Sequence, residues 1–437
     1  MVASNDGSDD APGTLEQPFE TAQKLVSSLQ PGMTGCLRAG TYLGSGADQV
    51  NIGTPNVTLT SYPGERATVK TLLWVEQTGD GVTVSNLDLD GRNKRGLPSP
   101  IINGDDITFT GNDITNHHTG ICVSIGTADT YGRAHRAVIE NNRIHDCGNL
   151  PSTNYDHGIY VNSADDTVIR NNWIYDNADR GIQLYPDAQG TLVTGNVIDG
   201  NGEGVIFGGS DKTASSNNIV EHNVITNSRL RDNVESSWGG PIGTGNIARN
   251  NCVGGGAYDD GDGGILAGPD GKLGFRASGN TLAVPDFADA AADDFSIDPA
   301  SACGKILGLV ATDTPPADDP PVTDPPPDDP PVTNPPPDDP PVTTPPEAEV
   351  TLAASCHRVR AMKPIRVRGR APGATRVSIQ IRRDGGWHRI AAGATASNGA
   401  YRTKVRIRRP GTGRIKAVAG GLRDSRPVAL RIEKRRG

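Results

Sequence analysis

The sequence predicts an all-β chain: a right-handed parallel β-helix (a solenoid), then a proline-rich linker, then a small basic β-sandwich. Three observations predict it. A short alternating apolar motif ending in asparagine recurs every 24 to 30 residues or so. Decapeptides rich in proline and aspartate separate two stretches of opposite charge. Finally, Gly 55 and Pro 33 against only 4% aromatic residues make turns, rather than a large aromatic core, the dominant feature.

The motif reads ITFTGNDI from Ile107, AVIENNRI from Ala137, TVIRNNWI from Thr167, TLVTGNVI from Thr191, NIVEHNVI from Asn218, NIARNNCV from Asn246 and FRASGNTL from Phe275. It aligns Asn112, Asn142, Asn172, Asn196, Asn223, Asn251 and Asn280. VTVSNLDLDG from Val82 is an earlier coil with Leu87 in the aligned position. One such interval is one solenoid coil, whose short strands pair with the coils above and below. A stacked asparagine can hydrogen-bond its neighbours along the column as well as the turn backbone, which makes a buried polar column tolerable.

A second element, a glycine followed by a β-branched residue, recurs as Gly120-Ile121, Gly158-Ile159, Gly181-Ile182, Gly204-Val205 and Gly264-Ile265. Each pair opens a short strand. In GIYVN and GIQLY the alternation points Ile159, Val161, Ile182 and Leu184 inward and Tyr160, Asn162, Gln183 and Tyr185 outward. One outer face is therefore polar and aromatic, suited to an elongated ligand. At the start, PFETAQKLVSSL has helical spacing, and a helix over Glu20 to Leu29 would cover the open end of the first coil. At the other end, Asp293 to Gly304 is expected to close the last coil.

The β-helix is assigned to residues 1–310, the linker to 311–348 and the basic domain to 349–437. In the linker, DDPPVTDPPP, DDPPVTNPPP and DDPPVTTPPE favour polyproline II, hence an extended stalk rather than a ligand for proline-reading domains. Beyond it, TRVSIQIRRDGGWHRIAAG reads as two strands around a turn, and YRTKVRIRR alternates strictly. Tyr401, Thr403, Val405 and Ile407 would face a core and leave Arg402, Lys404, Arg406 and Arg408 as a cationic stripe. This segment looks like a bacterial immunoglobulin-like sandwich.

The net charge of -9 conceals a division. From Val350 onward there are about 23 Lys and Arg against about 3 Asp and Glu, so the rest of the chain is strongly acidic. The two parts are expected to meet different partners. The basic part suits an anionic polymer such as cell-wall material, or equally a merely soluble basic face. Nucleic acid is disfavoured, because no reading helix or aromatic-lined groove accompanies the charge. No apolar run is long enough to span a bilayer, and the first residues lack the apolar stretch of a signal peptide, so they read as a mature terminus with an added Met. An extracellular or cell-surface location is expected from the architecture. The six cysteines include no CxxC pair, against a structural zinc site; in the repeat register Cys122/Cys147 and Cys252/Cys303 are plausible partners, while Cys36 and Cys356 have no obvious mate.

The opening stretch, DGSDDAPGTLEQPF before the helix and LRAGTY after it, resembles the start of pectin-lyase-like β-helix proteins, including family 9 polysaccharide lyases. The resemblance covers about residues 4 to 304 and speaks to fold more than to reaction. It implies a carbohydrate-active protein, most readily a lyase or epimerase of uronate-containing glycans. Such chemistry needs a base for the proton α to the carboxylate and a cation, calcium or arginine, for the enolate-like charge. The candidates are Asp156 and His157 ahead of Gly158 and Arg180 ahead of Gly181, with Tyr160, Gln183 and Tyr185 lining the same face. Tyr155-Asp156-His157 is a loose analogue of the Tyr-x-Asp-x-His grouping of alginate epimerases. A polar residue at a coil corner explains His157 and Arg180 equally well. The calcium-binding aspartates and lysine base of family 9 have no clear counterpart; Lys94 beside Asp88 and Asp90 comes nearest. Asp259, Asp260 and Asp262 in YDDGDGG offer a calcium ligand set or simply an acidic turn. The competing readings are a non-catalytic, adhesin-like glycan-binding β-helix on a stalk and a copper-site maturation factor, the latter disfavoured by Met 3.

Overall fold

The computed structural model describes residues 1–308 apart from 45–47, 128–130 and 267–272, and then 353–354, 358–360, 364–371, 374–383, 386–394, 400–407, 411–419 and 428–433. The linker expectation lies outside the described residues. The chain divides into two compact units, Met1–Ala311 and Thr312–Gly437.

In the first unit every coil contributes strands to parallel sheets that run the length of the solenoid, an 11-stranded sheet A, a 10-stranded sheet B and a 9-stranded sheet C among the described residues. One coil shows the order: Val168–Arg170 in sheet A, Trp173–Tyr175 in sheet B and Arg180–Gln189 in sheet C. Inward residues stack in file. Ile139 pairs with Ile169 and Ile169 with Val193 in sheet A, Ile144 with Ile174 in sheet B, and Ile159 with Ile182 and Val205 in sheet C. All are fully buried. β-Branched residues suit this half-buried pleated surface, and the parallel stack buries their branches against the same branch one coil on.

The asparagine column forms as the repeat predicts. Asn142 Oδ1 accepts from the Asn112 backbone N–H at 2.9 Å, and the same relation runs through Asn172, Asn196, Asn223, Asn251 and Asn280. Leu87 occupies the aligned position below, donating its N–H to Asn112 Oδ1 at 3.1 Å. The residue before each ladder asparagine holds positive φ, for example Gly111 at 66° and Asn171 at 56°, which is why Gly and Asn recur there. Two shorter columns turn the other corners: Asn177 to Asn201 between sheets B and C, and Asn218 to Asn246 between sheets C and A.

The N-terminal helix spans Ala22–Ser28, with Thr21 as its cap accepting from Lys24 N. Ala22, Leu25 and Val26 complete the core at the first coil, as expected. The other end differs from expectation. Residues 287–306 do not close the last coil; they pack outside sheet B, where Phe295 meets Trp173 and Tyr175, and Cys303 is bonded to Cys252. Sheet B exposes an apolar outer stripe of Tyr175, Val197 and Val224, and this strap covers it. The second disulfide, Cys122–Cys147, joins neighbouring coils. Cys36 is free, and Cys356 lies outside the described residues.

The second unit holds a sheet of Ala353–Ala354, Pro364–Arg370 and Ala400–Arg406, and a five-stranded sheet of Arg358–Arg360, Val428–Glu433, Gly411–Val418, Arg376–Arg383 and Gly386–Ala394. Tyr401, Val405 and Ile407 are buried with Val367, Ile379 and Ile415, while Lys404 is exposed. The alternation read from YRTKVRIRR is thus present; the side chains of Arg402, Arg406 and Arg408 lie outside the described residues.

Candidate functional site

Sheet C carries the candidate site because its strands are longest there, Ile159–Asp165, Arg180–Gln189 and Glu203–Gly209 on three successive coils. Register sets the side chains. Ile159, Ile182 and Val205 are paired partners, so the residues two positions earlier, His157, Arg180 and Glu203, stand in one column. Tyr160 pairs with Gln183, and Gln183 with Ile206, which pairs in turn with Glu235. The outward pointing of Tyr160, Gln183 and Tyr185 is as expected: Tyr160 and Gln183 are partly exposed between buried neighbours, and Tyr185 is partly exposed after buried Leu184. The Tyr160 and Tyr185 rings lie nearly parallel, 6.5 Å apart, and His157 meets Tyr160 edge-on at 5.6 Å. Burial pushes the Tyr160 hydroxyl well above its ordinary value, so it stays protonated. One alignment is corrected: Val123 pairs with Ile159, so Gly120-Ile121 sits two residues ahead of the register.

His157 is 2% exposed. Burial, reinforced by the Arg180 charge, drives its imidazole well below the usual range against the opposing pull of the Gln183 side chain and the Asp156 backbone. It is therefore neutral at physiological pH. The Gln183 side chain on the next coil and the Asp156 backbone are the polar groups that meet its ring.

Asp156 does not orient this histidine. Its carboxylate accepts from Asn149 Nδ2 and Thr153 Oγ1, both at 2.8 Å, and so fastens the 148–156 connection. Asp179 secures the same connection from below, accepting from the Tyr155 and Asp156 backbone N–H groups, both at 3.0 Å, and from Ser152 Oγ. Arg180, 4% exposed, donates to Asn154 O at 2.8 Å and Asn154 Oδ1 at 2.9 Å, while its Nε lies 3.0 Å from Glu203 Oε2. The connection thus roofs the Arg180 side of the site.

Sequence reasoning missed the acidic half. Glu203 Oε1 is 2.8 Å from Arg231 Nε, and Arg231 Nη1 is 3.2 Å from Glu235 Oε1. Both glutamate side chains are buried. Burial is the main cause raising Glu203, to about 7, with Arg180 opposing and Glu235 assisting; Glu235 is raised for the same first reason. Glu203 stands ahead of Gly204 as His157 stands ahead of Gly158, so the corner position that nominated His157 and Arg180 also pointed to Glu203.

The other candidates lie elsewhere. Asp259 accepts from the backbone N–H groups of Gly255, Gly261 and Gly263, and Asp262 from that of Gly264, so these carboxylates brace their own turn. Among the described residues no group of three or more His, Cys, Asp or Glu side chains is arranged to hold a metal ion. Asp90 is ion-paired to Arg92 and Lys70, Asp88 to Arg66, and the Lys94 backbone N–H donates to Asp48 Oδ2. Among the described residues no helix is long and apolar enough to cross a membrane.

A family model described as right handed beta helix region matches residues 75–268. No curated protein matches the chain. Among solved structures, pectate lyase Pel9A aligns at 12% identity over 69% of this chain and 90% of its own, with a TM-score of 0.47. XylC in complex with xylose aligns at 14% identity over 58% and 68%, TM-score 0.42, and an alginate lyase from Paenibacillus sp. str. FPU-7 at 18% over 59% and 91%, TM-score 0.38. At these identities and scores none of them bears on the reaction. The family match and the strand topology together make residues 75–268 a right-handed parallel β-helix.

Proposed function

We propose that the protein is a secreted, carbohydrate-active β-helix that acts on uronate-containing glycans, as a lyase or an epimerase, along the outer face of sheet C. The observation that carries this reading is the neutral, buried His157 beside Arg180, next to the stacked Tyr160 and Tyr185 rings. A neutral imidazole can accept the proton α to a uronate carboxylate. In a lyase that electron pair forms the C4=C5 double bond while the C4–O bond breaks and the leaving oxygen takes a proton. In an epimerase a proton returns to the opposite face. Parallel aromatic rings suit stacking on successive sugars. Two disulfides and the extended β architecture support an extracellular setting. The basic second unit, read as an immunoglobulin-like sandwich, would attach the protein to an anionic polymer; exposed Lys404 beside a buried strand face supports that reading.

A second reading, glycan binding without turnover, is favoured by one observation: His157 and Arg180 are both buried, and Arg180 is bonded to Asn154 of the 148–156 connection. Absorbance near 235 nm, where the unsaturated product of β-elimination absorbs, separates the two. A panel of pectate, alginate and glycosaminoglycans, with and without calcium, should give a signal that His157→Ala abolishes. Binding with no absorbance change, and no epimerised product by NMR, selects the binding reading.

A further inference from the structure

The polar cluster at the far end of the column contains two cations, Arg180 and Arg231, and two carboxylates, Glu203 and Glu235. With both glutamates ionised it is neutral. Arg180 is covered, whereas the Arg231 side chain is 40% exposed and reaches solvent while holding both carboxylates. We propose that Arg231, Glu203 and Glu235 form the subsite that recognises the carboxylate of an acidic sugar, and that this sugar binds together with a proton taken up by the glutamate pair. The inference rests on sheet C being the glycan-binding face.

Charge balance is the argument. A uronate placed against Arg231 adds one negative charge to a cluster in which both glutamate side chains are less than a tenth exposed, and an unbalanced charge there is costly. One proton on the glutamate pair restores neutrality. The remaining groups facing the cluster do not supply it: His157 is neutral, Asp232 adds negative field at Glu235, and Tyr258 acts on Arg231 in the same sense as the glutamates. The pair is already poised for this, since Glu203 titrates at about 7 before any ligand arrives. An added anion raises that value further, so affinity for acidic sugars rises as pH falls and is lost as pH climbs above neutrality. A neutral sugar shows no such dependence.

The test is isothermal titration of the full chain with trigalacturonate and trimannuronate, and with galactotriose as the neutral control, at pH 7 in two buffers of different ionisation enthalpy. The expected result is uptake of up to about half a proton per acidic trisaccharide, because Glu203 is already about half protonated at that pH, and none for the neutral one. Glu235→Gln, nearly isosteric, should bind the acidic sugar without proton uptake and with a flat pH profile. Arg231→Ala should lose about tenfold or more in acidic-sugar affinity and leave the neutral sugar unaffected. Arg231→Lys, checked for fold by circular dichroism, keeps the charge and retains linked uptake should the alanine variant not fold. Acidic-sugar binding without uptake, or uptake unchanged in both Glu203→Gln and Glu235→Gln, overturns this inference and leaves the glycan reading standing. No binding of any trisaccharide overturns both.

Discussion

Replacing Asn172 by alanine tests the asparagine column at its centre. Asn172 is fully buried. Its Oδ1 accepts from the Asn142 backbone N–H and from Asn142 Nδ2, both at 3.0 Å, and its Nδ2 donates to Ile139 O at 2.8 Å and Asn196 Oδ1 at 2.9 Å. Alanine strands two buried donors on Asn142. At about 1–3 kcal/mol for each unsatisfied buried group, the expected loss is about 4 kcal/mol. Asn280 is the internal control. It makes the same bonds to Asn251, at 2.9 and 3.0 Å, but it sits at the end of the column and is partly exposed, so water can replace what alanine removes. Asn280→Ala should therefore cost about 1 kcal/mol. Urea unfolding followed by far-UV circular dichroism measures both, and hydrogen exchange at the Asn142 amide reports the local effect. Equal costs at the two positions, or a cost below about 1 kcal/mol at Asn172, would refute the claim that buried hydrogen bonding sustains the stack.

Three further outcomes follow from the structure. His145 lies between Asp113 and Asp146, at 2.8 and 3.0 Å, and stacks on Tyr175. Burial opposes its charge, but the two carboxylates prevail and raise it from 6.5 to about 9. A raised histidine stabilises fully below its unfolded value and loses that contribution as pH rises through about 9, so wild type should lose about 3 kcal/mol relative to His145→Gln between pH 6 and 10, read from paired unfolding curves. Removing the Cys122–Cys147 bond with a double serine variant frees a loop of 25 residues and should cost about 3.5 kcal/mol under non-reducing conditions. If the lyase reading holds, His157→Ala should lower the 235 nm rate by about a hundredfold or more, and wild-type rate should show no ionisation of His157 near pH 6.5, because that imidazole is already neutral.

The candidate site was half legible. Coil-corner position alone nominated His157 and Arg180, and the alternation in GIYVN and GIQLY pointed Tyr160, Gln183 and Tyr185 outward; register in sheet C stacks both sets. Asp156 was chosen for adjacency to His157, yet neighbours along an irregular connection have no fixed relation, and its carboxylate turned to Asn149 and Thr153. Glu235 and Arg231 escaped notice because their coil reads Asn233-Val234 where the others read Gly followed by a β-branched residue. The columns through Asn177 and Asn218 escaped for a similar reason: few coils share them.

What the sequence by itself determined is the solenoid. A period repeated seven times carries its own alignment, and inward apolar files, turn asparagines and the residues of positive φ before them each state the same local geometry coil after coil. The tertiary structure decided what does not repeat. The strap of residues 287–306 runs back over sheet B because an outer apolar stripe there needed cover, and no periodic signal encodes a one-time contact. Arg180 and Arg231 both reach Glu203 because coil stacking carries residues 23 and 28 apart in sequence onto adjacent coils about 4.8 Å apart, whereas Arg231 meets Glu235 locally, four residues on. Burial then sets the charge of each group, and burial belongs to the assembled stack rather than to any one coil.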